Sequence, residues 1–360
     1  MAKINVSDFD KNFAVTGVKE NDVVWYDAES APFSLHGVYY DDENGVYRRM
    51  PKAVAETVNN GVLYGSTYGV GGRIRFITDS PYIAIKFSSP SENMLNRMSM
   101  FGSHGFGLYV DGKYTNSFCM EEKDVWKAKP NVMAFSSSLR YDEFFKEREI
   151  EIDFPLYNAV NKLFIGVKEG SKLLPPKKYK HEQPVIYYGS SITQGGCVSH
   201  AGNEYTAILS RMLDTDYINL GFSGSAKAEP TMIEYLASLS PSVFVLDYDH
   251  NSPNEEHLKS TYKPLFDGIR AKHPDTPIVM ITSPNPEFMY HGKERKEIIY
   301  DVYKQAVACG DKNVYFIDGG TFFGEEDRDY CTVDLCHPND LGSLYMAKGI
   351  YPVLNKILNK

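Results

Sequence analysis

The sequence predicts an α/β protein in two parts: an N-terminal antiparallel β-sandwich, then a three-layer α/β/α domain built on a parallel sheet. Three observations carry this. Residues 1 to about 170 break into short runs rich in Tyr, Phe, Gly and β-branched residues, separated by turn clusters. From about residue 181, short apolar runs alternate with helical periodicity, the texture of βα units. Between them lies a basic, proline-bearing stretch around Pro175-Pro176-Lys177-Lys178, which places the boundary near residue 181 and the domains at 1–180 and 181–360. At roughly 150 residues per domain, 360 residues fit two.

In the first part the expected strands are Val23–Tyr26, Arg73–Ile77, Tyr82–Phe87, Gly107–Val110, Glu149–Phe154 and Leu163–Val167, with turns at Asp79-Ser80-Pro81 and Asp111-Gly112. Arg73, Arg75 and Ile77 alternate with Ile74 and Phe76, a period of two that puts one face in a core and the other in a wetter environment. Trp25, Trp126 and the tyrosines are expected in the sandwich core, with a sugar-stacking platform as the alternative.

In the second part Val185–Tyr188, Tyr217–Leu220, Val243–Asp247, Pro277–Thr282 and Val314–Ile317 are apolar runs of the buried parallel type. Tyr205, Ile208, Leu209, Met212 and Leu213 share one helical face, as do Ile298, Ile299, Val302, Tyr303 and Ala306. In such a sheet ligands bind beyond the carboxyl ends of the strands, so the loops after the strands carry the chemistry.

Composition narrows the function. Hydrophobic residues at 42% and charged residues at 24% are ordinary globular usage, which excludes a disordered or coiled-coil chain. The formal charge of −9, with no basic block, argues against nucleic acid or an anionic membrane as partner. Five cysteines without a CxxC pair read as free thiols in a reducing compartment. The segment Met1–Asp8 lacks the apolar core of a signal peptide, and no apolar run approaches the ~20 residues that span a bilayer, so a cytoplasmic protein is expected.

Four loops stand out. After the first strand, Gly189-Ser190-Ser191-Ile192-Thr193 places a serine on a glycine-flanked turn, where its Oγ faces a cleft and nearby amides point at the same place. The lysine of a phosphate loop and the GxGxxG of a dinucleotide site are absent there, and no cofactor is expected. After the second strand, Asn219-Leu220-Gly221-Phe222-Ser223-Gly224 brings an unobstructed Gly224 N–H to the same sheet edge. After the third, Asp249-His250-Asn251-Ser252 offers the Asn251 amide to a developing oxyanion, and His250 as a solvated or structural histidine. Near the C-terminus, Asp334-Leu335-Cys336-His337 spaces a carboxylate to turn back onto the imidazole Nδ1–H and aim Nε2 at an external nucleophile. Asp334, Cys336 and His337 as metal ligands is the weaker alternative, because no further clustered ligand completes a tetrahedral set, and no metal is expected. Pro338-Asn339-Asp340 reads as the start of a helix.

Taken in order, these blocks resemble the SGNH (GDSL) hydrolase superfamily over roughly residues 184 to 358, through Ser191, Gly224, Asn251 and Asp334-x-x-His337. The resemblance implies a flavodoxin-like sheet. It also implies Ser191 as acyl nucleophile, His337 as general base then acid, Asp334 as its orienting carboxylate, and Ser191 N–H, Gly224 N–H and Asn251 as the oxyanion hole. Two blocks depart from the family pattern: Ser190 stands where an Asp is usual, and Asp249-His250-Asn251-Ser252 replaces Gly-x-Asn-Asp. The N-terminal half, through Gly105-Phe106-Gly107-Leu108-Tyr109, resembles the jelly-roll-like GxDLY domain of the same hydrolases, with Gly107 in place of its Asp. The resemblance implies a serine esterase removing small acyl groups, acetyl foremost, from a sugar or another polar small-molecule or oligosaccharide ester. The alternatives are an acyltransferase using the same acyl-enzyme and a non-catalytic carbohydrate-binding protein.

Overall fold

The computed structural model describes residues 18–90, 95–119, 131–138 and 146–360. They form two compact units. The first runs to Arg49 and includes Thr67–Lys178 and Ser199–Gly202; the second includes Met50–Ser66, Tyr179–Val198 and Asn203–Lys360. Neither unit is contiguous: Met50–Ser66 belongs to the second and Ser199–Gly202 to the first.

Among the described residues, the first unit has two larger antiparallel sheets. One has the order Val23–Asp27, Lys162–Lys168, Tyr82–Ser89, Asn131–Ser138. The other runs Leu173–Leu174, Arg73–Thr78, Arg148–Asp153, Phe106–Val110, Lys113–Phe118, with Ser34–His36 also paired to Arg73–Thr78. Alternate residues of both, Ile83, Ile85, Phe87, Leu163 and Ile165 against Ile74, Phe76, Leu108, Ile150 and Ile152, meet in one core, which makes the pair a sandwich. The opposite face of Arg73–Thr78 is drier than its alternation suggests. Arg75 is buried because Glu149 (2.5 Å) and Glu151 (3.6 Å), neighbours on the paired strand, neutralise it, and Arg73 is buried with Nη1 donating to Gly71 O at 2.7 Å.

Trp25 is half-buried outside that core cluster, with the Lys86 ammonium 4.4 Å from its ring centroid, so this ring is neither core nor an open platform. Trp126 lies outside the described residues. At Gly107 an added Cβ would sit 2.2 Å from the carbonyl oxygen of Ala201, so no side chain fits where the related domain has its Asp.

The second unit is built on a five-stranded parallel sheet in the order Thr215–Gly221, His181–Gly189, Val243–Asp247, Ile278–Ile281, Val314–Ile317. Its strands alternate between two cores, as strands covered on both faces must. Ile186, Tyr188, Leu220, Phe244, Leu246 and Met280 pack with helices Pro230–Ser238, Glu255–Lys272 and Gly292–Ala308. Val185, Tyr187, Tyr217, Val245, Val279 and Ile281 pack with helices Tyr205–Leu213 and Asp340–Leu358. On Tyr205–Leu213 the buried line is Tyr205, Leu209, Leu213, and Met212, expected on that face, is turned outward at its margin.

The helices Lys52–Val58 and Asn60–Gly65 carry no amphipathic run long enough to read from sequence. They join this unit because Ala55 and Val62 complete the core that holds Ala226 and Met232. Asn59 secures them: its Oδ1 accepts from Val62 N at 2.9 Å and its Nδ2 donates to Ser225 O at 3.0 Å. No helix among the described residues is long and apolar enough to cross a membrane.

In this strand order the chain reverses direction across the sheet between His181–Gly189 and Val243–Asp247, and crevices form at the carboxyl ends of such a pair. Ser191 follows the first of these strands and Asn251 the second.

Candidate active site

The turn after Gly189 separates its two serines. Ser190 is fully buried; its N–H donates to Asp247 O at 3.1 Å and its Oγ accepts from Ile192 N at 3.2 Å. Ser191, one residue on, is half-buried, and its Oγ lies 2.9 Å from His337 Nε2.

Beneath this turn is a buried polar support that the motifs did not reveal. Asp247 Oδ2 accepts from Thr193 Oγ1 at 2.9 Å and from the Tyr205 hydroxyl at 3.0 Å, while its Oδ1 is buried without a hydrogen-bond partner. Burial, with Asp249 nearby, pushes the Asp247 carboxyl up to about 8. Asn219 Nδ2 donates to Thr193 O at 2.7 Å and its Oδ1 accepts from Gly221 N at 2.9 Å; Gln194 Oε1 accepts from Ser223 N at 2.8 Å. The serine turn and the glycine loop are thereby tied together. The available sequence signal was a polar residue inside or closing an otherwise apolar strand, as Asn219 and Asp247 are.

Gly224 takes φ +66°, a conformation that favours glycine, in the loop expected to supply an oxyanion donor. Its N–H donates to Asn251 Oδ1 at 3.1 Å, and Asn251 Nδ2 donates to Phe222 O at 2.7 Å. The two residues are brought together, with Gly224 N–H engaged by Asn251.

The histidine loop owes its shape to a tight turn in which Leu335 has φ +65°. Asp334 Oδ1 accepts the N–H groups of Cys336 (3.2 Å) and His337 (2.8 Å), which turns the carboxylate back onto the ring. His337 Nδ1 then lies 2.9 Å from Oδ2 and 3.1 Å from Oδ1. A carboxylate only accepts, so Nδ1 carries the proton and Nε2 presents its lone pair to the Ser191 hydroxyl. Asn339 starts the following helix, its Oδ1 accepting from Leu341 N and Gly342 N, and Asn285 Nδ2 holds Leu335 O at 3.0 Å.

His250 serves elsewhere. Its Nε2 lies 2.8 Å from Ser283 Oγ and its Nδ1 3.7 Å from Cys336 Sγ, and burial lowers its pKa, so it packs behind the His337 loop as a neutral ring. Among the described residues, Asp334, Cys336 and His337 are the only three metal-competent side chains with donor atoms within 4.8 Å of one another. Two of them are already hydrogen-bonded together.

A serine, histidine and carboxylate in series at the switch point of a parallel sheet define the serine-hydrolase type of α/β domain. Residues 182–355 match the GDSL-like lipase/acylhydrolase family, and residues 23–173 match the N-terminal domain, called GxDLY, of SGNH-hydrolase-type esterases. Residues 182–355 therefore belong to the GDSL-like family and residues 23–173 to the GxDLY family. No curated protein matches it significantly.

Among solved structures it is similar to a protein described as a GDSL-like lipase from Bacteroides ovatus, with TM-score 0.81 and 28% identity over 94% of this chain and 98% of that one. A salicylyl-acyltransferase from a tetracycline biosynthetic pathway gives TM-score 0.76 and 17% identity over 94% and 98%. A family two carbohydrate esterase from Clostridium thermocellum, in complex with cellohexaose, gives TM-score 0.63 and 16% identity over 91% and 99%. The last two establish the shared fold.

Proposed function

We propose that the protein is a serine esterase that removes small acyl groups, acetyl foremost, from a carbohydrate or other polar alcohol. The observation that carries this is the unbroken series from Ser191 Oγ through His337 to Asp334, each link 2.9 Å. Ser191 Oγ attacks the ester carbonyl while His337 Nε2 takes its proton. The tetrahedral oxyanion is met by Ser191 N–H and the second Nδ2 hydrogen of Asn251, joined by Gly224 N–H once it lets go of Asn251 Oδ1. His337 passes the proton to the leaving alcohol oxygen, which breaks the ester bond and leaves the acyl group on Ser191. It then deprotonates water for the second attack and returns that proton to Ser191 Oγ as the acyl–serine bond breaks and the acid leaves, and Asp334 stabilises the imidazolium both times.

A small acyl group and a polar alcohol are supported by the mean hydropathy of −0.36 and by a fold that carbohydrate esterases also use. The test is an ester panel of p-nitrophenyl acetate, longer acyl chains and acetylated oligosaccharides, with Ser191→Ala and Ser190→Ala beside the wild type. Ser191→Ala should lose several orders of magnitude in kcat and its labelling by a fluorophosphonate, while Ser190→Ala keeps most of both. Equal losses at the two serines would move the nucleophile. Products analysed with and without an added alcohol separate hydrolysis from acyl transfer.

A further inference from the structure

A cavity of about 420 Å³ adjoins Gly224 and Asn251. Phe288, Tyr290 and Leu335 line it and are exposed, so they form its rim; Arg295 lines it and is 3% exposed, so it forms the floor. An acetyl group would leave most of this volume empty.

Arg295, on the helix Gly292–Ala308, is a buried cation with neutral partners. Its Nε donates to Tyr290 O at 3.2 Å, and its Nη1 to Asp249 O at 2.8 Å and Ser252 O at 3.0 Å. Among the described residues no carboxylate lies within ion-pair distance of it, and its Nη2 has no hydrogen-bond partner. Asp249, whose carbonyl it binds, turns its own carboxyl to Ser283 N at 2.9 Å. A buried charge is costly unless it is paired, and this guanidinium, with Nε and both Nη1 hydrogens spent on backbone carbonyls, keeps the two hydrogens of Nη2 for an anion.

We propose that this cavity is a substrate subsite for a carboxylate, bound by Arg295 Nη2, so that the preferred ester carries an acid group. That group belongs either to the alcohol, as in a sugar acid or another hydroxy acid, or to the acyl part, as in a dicarboxylic half-ester. The proposal rests on the esterase reading of Ser191, His337 and Asp334.

Matched esters test it. On the alcohol side the pair is 4-acetoxybenzoate and the neutral 4-acetoxybenzamide; on the acyl side it is phenyl hydrogen glutarate and the corresponding neutral amide. In the wild type, kcat/KM should favour the carboxylate of one pair by roughly tenfold or more, and the responding pair identifies the side. In Arg295→Gln the charged-to-neutral ratio should fall to about one. Equal rates within both pairs, or a preference that survives Arg295→Gln, would overturn the proposal.

Because Arg295 ties three carbonyls, its variant can fail to fold, and calorimetry on the wild type supplies a readout without it. 4-Hydroxybenzoate and glutarate are compared with their amides; at least one carboxylate should bind roughly tenfold tighter, and equal binding in both comparisons overturns the subsite. Carboxylate binding by a protein that hydrolyses no ester would sink the esterase reading and leave the subsite standing.

Discussion

Gly224 and Asn251, the two residues expected to offer hydrogen bonds to an oxyanion, are hydrogen-bonded to each other: the Gly224 N–H donates to Asn251 Oδ1 at 3.1 Å. Asn251 Nδ2 meanwhile spends one hydrogen on Phe222 O at 2.7 Å and keeps a second. Asn251 therefore braces the glycine loop and, in the proposed mechanism, has its second hydrogen for the oxyanion.

Asn251→Ala should lower kcat by about 10²–10³ with a smaller change in KM, the usual cost of losing an oxyanion donor. Asn251→Asp should be at least as damaging, because a carboxylate would oppose both Phe222 O and the developing negative charge. Gly224→Ala isolates the backbone: an added Cβ there has no atom within 4 Å, so any loss comes from φ +66° alone. Steady-state kinetics on the three variants check this, and wild-type kcat for Asn251→Ala would remove Asn251 from the site.

Asp334 holds its histidine through both the ring and the backbone. Asp334→Asn keeps an oxygen for the N–H groups of Cys336 and His337 but not a negative charge, so the loop should stay folded while kcat drops by up to about 10⁴. His337→Ala should be at least as severe, and the double variant little worse, since the pair works as one unit. Multiplicative losses in the double variant, with circular dichroism showing folded protein, would show that the two act independently.

Asp247 predicts a stability profile. Its carboxyl is raised to about 8 in the folded chain from the ordinary value of 3.8, so between those values the folded protein holds a proton that the unfolded chain has released. The stability that Asp247 contributes is full below about pH 4 and is lost as pH rises to about 8. Asp247→Asn retains an acceptor for Thr193 and Tyr205 without the charge, so its melting temperature should gain on the wild type steadily from pH 5 to pH 8. A constant difference across that range would mean that Asp247 does not titrate there.

The strands were readable because burial imposes its own period. Ile150 and Ile152 alternate with Glu149 and Glu151, and the apolar runs Val185–Tyr188 and Val243–Asp247 are what a sheet covered on both faces requires. The Asp334–His337 turn was readable because its hydrogen bonds close within four residues. The helices Lys52–Val58 and Asn60–Gly65 were not, since their burial depends on Ala226 and Met232, far along the chain. The dryness around Arg75 was hidden for the same reason: the carboxylates that permit it come from another strand.

The sequence by itself determined the two-part α/β organisation, the strands and helices with clear periodicity, and four loops of chemically competent residues. Periodicity, turn chemistry and capping act over a few residues and so leave a mark in the local order of amino acids. Only the tertiary structure decided that Ser190 is buried while Ser191 meets His337, a residue 146 positions away. Only it turned Asn251 onto Gly224, placed Asp247 under the serine turn and left Arg295 lining a cavity with no carboxylate among the described residues at ion-pair distance. Those outcomes depend on which strands lie side by side and on how distant loops pack. Neither is encoded in the neighbourhood of any one residue, because the hydrogen bonds concerned join groups that only the folded sheet brings within reach.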